Sequence, residues 1–88
     1  MGNSTAKILS EETNVAVVHM PGRKFPGSVI QGDSLKILCD LADEIFAKVK
    51  NSKDEELVKT TKELQFQLHA RLTVYERVLR ENGLSFPY

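Results

Sequence analysis

The sequence has one cysteine, no tryptophan, three prolines and no surplus of charge: twelve Lys and Arg stand against twelve Asp and Glu. A lone Cys39 excludes an internal disulfide and fits a reducing compartment. The balanced charge removes the broad electrostatic case for nucleic acid or an anionic membrane as partner, leaving only local patches. No apolar run approaches the roughly 18 residues that span a bilayer, and the N-terminus lacks the apolar middle of a signal peptide. Met1-Gly2 would suit myristoylation with Ser or Thr at the sixth position, but Ala6 stands there. A soluble, cytoplasmic protein is the expectation. Eighty-eight residues make a single small domain. Such a chain buries only about 60% of its unfolded surface and often gains stability from a partner.

What is present divides into a β-rich first third and a helical remainder. Residues 1–5 are small and polar and are expected to fray. Within residues 6–31, AKIL is a short strand and SEETN a turn. VAVVHM follows as a strand with apolar residues on both faces, which suits the middle of a small sheet. Two such runs joined by a short polar segment predict an antiparallel hairpin. PGRKFPG is punctuated by Pro-Gly at both ends and reads as a loop, and Ser28 to Gln31 suits a third short strand.

From Asp33 the period changes to three and four. Leu35, Leu38, Ala42, Ile45 and Val49 mark a helix over 33–50, with Asp33 or Ser34 as its N-cap. Ile37 and Leu41 widen its apolar arc on one side, Cys39 and Phe46 on the other. The arc then covers about half the circumference, more than one neighbouring helix conceals. A second helix over 53–82 opens on a Ser52/Glu55 capping box and carries Leu57, Thr61, Leu64, Leu68, Leu72, Tyr75 and Leu79. Glu55/Lys59 and Glu76/Arg80 have favourable i, i+4 spacing. Gly83 is placed to stop this helix in the left-handed conformation, with Leu84 folding back and 84–88 as a tail. The short Asn51-Ser52 link makes the helices antiparallel. At 1.5 Å per residue they measure about 25 and about 42 Å, so the second overshoots the first. Arg71, Leu72, Tyr75, Val78 and Leu79 continue the stripe into that overshoot, where the sheet, the tail or a second copy must cover them. The expected fold is α+β: a small antiparallel sheet of two or three strands packed on an antiparallel two-helix hairpin.

The chemistry-bearing residues are sparse. Arg23 and Lys24 in a glycine-rich loop, followed by Gln31, Gly32, Asp33 and Ser34 at a helix start, could hold a small anion. The spacing matches neither a phosphate loop nor a dinucleotide fingerprint, and Asp33 already brings a negative charge there. The plainer reading makes the glycines and prolines turn residues and Phe25 a core plug. His19, His69 and Cys39 form no HxxxH or CxxC pair, so no metal site is expected. Cys39 reads as a buried thiol with Asp40 and Asp43 nearby, which disfavours a thiolate. The acidic clusters Glu11/Glu12, Asp40/Asp43/Glu44 and Asp54/Glu55/Glu56 suit a turn, a wet face and a helix start. No catalytic residue, cofactor or enzyme activity is expected. Phe66 lies opposite the leucine stripe among Lys59, Lys62, Ala70, Thr73 and Arg77, as an interface anchor does; a single exposed ring, or one that the tail covers, is the alternative. Phe66, Tyr75, Arg77 and Tyr88 are the candidate interface.

Residues 12–18 (ETNVAVV), 21–35 (PGRKFPGSVIQGDSL) and 75–88 (YERVLRENGLSFPY) carry a longer pattern. In them the chain resembles a family of small, mostly bacterial proteins of uncharacterised function. The resemblance implies no catalytic or ligand residue, and it suits a bacterial cytoplasmic setting. The expected role is a non-enzymatic module that binds another protein or itself, a homodimer being one form. A binder of a small anion at the Arg23/Lys24 loop and the following helix start is the alternative.

Overall fold

The computed structural model describes residues 5–12 and 15–88. The chain divides into two compact units, Met1–Gln31 and Gly32–Tyr88.

The first unit holds three strands, β1 (Lys7–Glu12), β2 (Val15–His19) and β3 (Gly27–Val29), in an antiparallel sheet of order β1-β2-β3. The apolar run on both sides of β2 therefore does mark the central strand. β1 continues through Ser10, Glu11 and Glu12, where a turn is expected from sequence; Thr13 and Asn14 lie outside the described residues. Ile8 faces Val18 while Ser10 faces Val17, so Leu9 is the extra residue of a β-bulge. β3 starts one residue before the expected strand and ends at Val29. Among the described side chains of this unit none is buried, and Ile8, Met20 and Val29 are each more than two-fifths exposed.

The second unit is the helical pair: α1 (Gly32–Val49, 18 residues) and α2 (Glu55–Glu81, 27 residues). Its core is Leu35, Cys39 and Leu72, with Leu68 and Tyr75 packed against them. Ala42 and Thr61 are buried as well. Against α2, α1 presents the sequence 35, 39, 42, 46, 49, and α2 answers with 58, 61, 65, 68, 72, 75, 79. Both alternate three and four, the seam of paired helices. α1 is thus turned relative to the stripe expected from Leu35, Leu38, Ala42, Ile45 and Val49. The small side chains Cys39 and Ala42 are the buried ones in this seam, and Leu38 and Ile45 stay 39% and 43% exposed. On α2 the same turn leaves Leu57 and Leu64 outside, 43% and 48% exposed.

The helix ends follow local chemistry, with two corrections to the expected caps. α1 begins at Gly32, and the Asp33 carboxylate, inside the first turn, accepts from the Ser34 amide at 2.8 Å. α2 is capped by Asp54, whose carboxylate accepts from Leu57 N–H at 3.1 Å, while Ser52 Oγ accepts from Asp54 N–H at 3.0 Å. The carboxylate is the better acceptor beside the positive end of the helix, and it displaces the Ser52/Glu55 box. At the far end Gly83 has φ 68°, its amide donates to the Arg80 carbonyl (3.2 Å) and the Leu84 amide to that of Leu79 (2.9 Å). These are the two bonds of a Schellman motif.

Candidate interaction surface

Three features fix the hairpin and leave one face bare. The first is a clasp between helices. Asp43 Oδ1 on α1 accepts from Gln65 Nε2 and pairs with His69 Nε2 on α2, both at 2.8 Å. Two donors on one carboxylate, Gln65 first and His69 with it, hold Asp43 below the usual carboxylate range. Asp43 therefore stands opposite residues 65–69 and sets the register of the pair. Beneath it Cys39 is fully buried. Burial, then the neighbouring carboxylates of Asp43 and Asp40, push its thiol up, away from a reactive thiolate.

The second is the contact of Tyr75 with Gly32. Tyr75 crosses from α2 to the start of α1, and its ring and hydroxyl occupy the volume that a side chain at position 32 would fill. Tyr75 is half-buried and belongs to the hairpin core, which removes it from the expected interface.

The third is the tail. Tyr88 Oη donates to the Glu76 carboxylate, Lys36 Nζ lies 5.7 Å from the Tyr88 ring centroid, and Arg80 lies 5.5 Å from that of Phe86. Phe86 and Tyr88 rings meet at 5.7 Å. Glu76 and Arg80, expected to pair with each other, thus turn to the tail, which covers part of the overshoot of α2. Desolvation and then the bond to Glu76 push the Tyr88 phenol up to about 12. Phe66 is 66% exposed, so the tail does not cover it. It edges a shallow recess with Asp43, Lys62, Gln65 and His69. Arg77 is exposed.

On the side of each helix away from Asp43, Gln65 and His69, the hairpin itself does not cover the apolar surface. α1 offers Leu38, Leu41 and Ile45, and α2 offers Leu57, Leu64 and Val78, all between 39% and 49% exposed. The one charge within the α2 row, Arg71, is turned along its own helix, donating to the Gln67 carbonyl (2.8 Å) and to Gln67 Oε1 (3.0 Å). This face was not singled out from sequence, where Leu38, Ile45, Leu57 and Leu64 were counted in the intrachain stripes. The available signal was the interval of seven from Leu57 through Leu64 and Arg71 to Val78.

The residues of the anion-loop reading fall in both units. In the first, Met20 to Arg23 form a turn closed by Arg23 N–H to the Met20 carbonyl (3.2 Å), with Pro21 at its second position and Gly22 at φ 77° at its third. These are the requirements of a type II turn. The His19 ring, as its Nε2–H tautomer, donates to the Arg23 carbonyl at 2.8 Å. Lys24 Nζ lies 5.4 Å from the Phe25 centroid, and Phe25 is 73% exposed, not a core plug. Gln31 is exposed. In the second unit Gly32 lies under Tyr75, and Asp33 takes the Ser34 amide. Among the described residues no group of three or more His, Cys, Asp or Glu could hold a metal ion, and no helix is long and apolar enough to cross a membrane.

No curated protein and no solved structure matches the chain. A protein family does match, over residues 1–88: the chain belongs to the family of unknown function DUF6959.

Proposed function

We propose that this chain is a non-enzymatic, cytoplasmic interaction module that binds protein, another chain or its own copy, through the hairpin face carrying Leu38, Leu41, Ile45, Leu57, Leu64 and Val78. The supporting observation is the second apolar row, beside the intrachain seam on both helices, which the hairpin itself leaves uncovered. Burying apolar area at about 25 cal/mol per Å² is the dominant favourable term in association. A zero formal charge favours a protein over nucleic acid or an anionic membrane as the partner. Phe66 is a further exposed aromatic, but it lies on the Asp43 and His69 side of α2 and so outside this face. The anion reading is weaker, because the Asp33 carboxylate already occupies the first-turn amide a phosphate would use; phosphate is expected to leave the melting temperature unchanged.

The test compares Leu64→Asp and Phe66→Asp with the wild type for mass by light scattering and for recovery of bound proteins. Loss of an associated species with Leu64→Asp, at unchanged helical circular dichroism, supports the reading. Identical mass and identical recovery in all three proteins would sink it.

A further inference from the structure

Along one side of the helical pair the same geometry occurs twice. Asp43 of α1 meets Gln65 and His69 of α2. In an antiparallel pair, two turns back on one helix is two turns forward on the other. Lys36 therefore faces Leu72 and Glu76 as Asp43 faces Gln65 and His69. The two positions bracket one layer of the core, Cys39 on α1 and Leu72 on α2, both buried. At Asp43 the helices touch directly. At Lys36 and Glu76 opposite charges stand across the same seam, yet each turns to the tail. The Tyr88 hydroxyl donates to the Glu76 carboxylate, and its ring centroid lies 5.7 Å from Lys36 Nζ.

We infer that residues 85–88 are an exchangeable strap. Docked, Tyr88 bridges Lys36 to Glu76 and closes the seam over Cys39; released, Lys36 and Glu76 pair directly and the thiol gains access to solvent. Every part of the device lies within the helical unit, and it uses no residue of the proposed interaction face. Tyr88 is placed to cover that layer, because the charged forms of Tyr75 and Cys39 both act on its phenol. The strap is held lightly. Tyr88 is 46% exposed, and the Phe86 and Tyr88 rings rest on Arg80 and Lys36, ring–cation contacts that are weak at exposed sites. Release strands no charge. Glu76 and Arg80 have the i, i+4 spacing of a helical ion pair, and Lys36 keeps Asp40 at 2.5 Å in either state. The turn at Gly83, with the Leu84 amide on the Leu79 carbonyl, stays in place, so only the last four residues of the sequence move.

The test uses the full chain and reads Cys39, its one thiol. Alkylation by iodoacetamide is expected to be several-fold faster in Tyr88→Ala than in wild type, at unchanged helical dichroism. Tyr88→Phe, which keeps the ring and loses the hydroxyl bond, should fall between them. Asp54→Ala removes the cap at the other end of α2 and controls for general loosening: it is expected to lower the urea midpoint without matching the acceleration. In a second measurement a water-soluble carbodiimide joins Lys36 to Glu76, condensing amine and carboxylate to an amide while the reagent takes up the water. That cross-link, counted by mass spectrometry against Lys36–Asp40 as internal reference, is expected to be several-fold more abundant in Tyr88→Ala. An alkylation rate that Tyr88→Ala leaves unmoved, or raises no more than Asp54→Ala does, overturns the strap. Equal yields of the Lys36–Glu76 cross-link in wild type and Tyr88→Ala overturn it as well.

Discussion

The Tyr75 side chain fills the space beside Gly32 that any other residue's Cβ would need. The start of α1 and the last third of α2 thereby meet at one ring, which a side chain at position 32 would force to shift. Gly32→Ala is expected to destabilise the hairpin by about 1–3 kcal/mol, the usual cost of overpacking. Because the contact is pairwise, Tyr75→Ala in the same chain should cancel most of that specific loss. Urea unfolding of the two single variants and the double variant measures it. Strict additivity would contradict the contact.

The clasp at Asp43 makes a pH-dependent contribution whose sign follows from its direction. Its folded pKa lies below the ordinary carboxylate value. The stabilisation is therefore present above the unfolded value, about 4, and is lost as pH falls through the folded value. The Asp43 and His69 side chains are 45% and 42% exposed, so the contribution at neutral pH is small, below about 1 kcal/mol. Wild type and Asp43→Ala, compared by urea midpoint from pH 7 to pH 3, should differ at the upper end and converge at the lower. A gap that widens in acid would exclude this account of the pair.

Tyr88 provides a spectroscopic reading of the tail. Its phenol is pushed up to about 12, against about 10 for a free tyrosine. Absorbance titration should resolve a late-ionising tyrosine that Tyr88→Phe removes and Glu76→Gln shifts down. If the late step survives Tyr88→Phe, the tail is not docked on Glu76.

Asp54 caps α2, and Asp54→Ala should cost about 1 kcal/mol, with Ser52→Ala costing less. Equal losses, or a larger one at Ser52, would restore the capping box expected from sequence.

These contacts also mark how far the sequence could be read. Local chemistry was legible: the two-sided apolar run placed β2 in the centre of the sheet, and Gly83 with Leu84 ended α2 as expected. The rotation of the helices was not. Leu38 and Ile45 suit a three-four stripe as well as Cys39 and Phe46 do, and the choice between them depends on how the two helices pack together. The Asp43–His69 pair spans 26 residues and depends on hairpin register, which no local spacing encodes. Gly32 was read as a turn residue because its need is steric and distant, set by Tyr75. The excess length of α2, about 40 Å at 27 residues against about 27 Å for α1 at 18, was legible, but its place was not: Leu72 and Tyr75, read as overshoot, pack on the first turns of α1.

If the chain binds its own copy through the face carrying Leu38, Ile45, Leu57 and Leu64, stability is linked to association, and the melting temperature depends on protein concentration. A hundredfold increase should add about 2.7 kcal/mol to the dimer and raise the melting temperature by several degrees in the wild type, while Ile45→Asp melts lower and at the same temperature throughout. A wild-type melting temperature that stays constant across that range would contradict binding of its own copy.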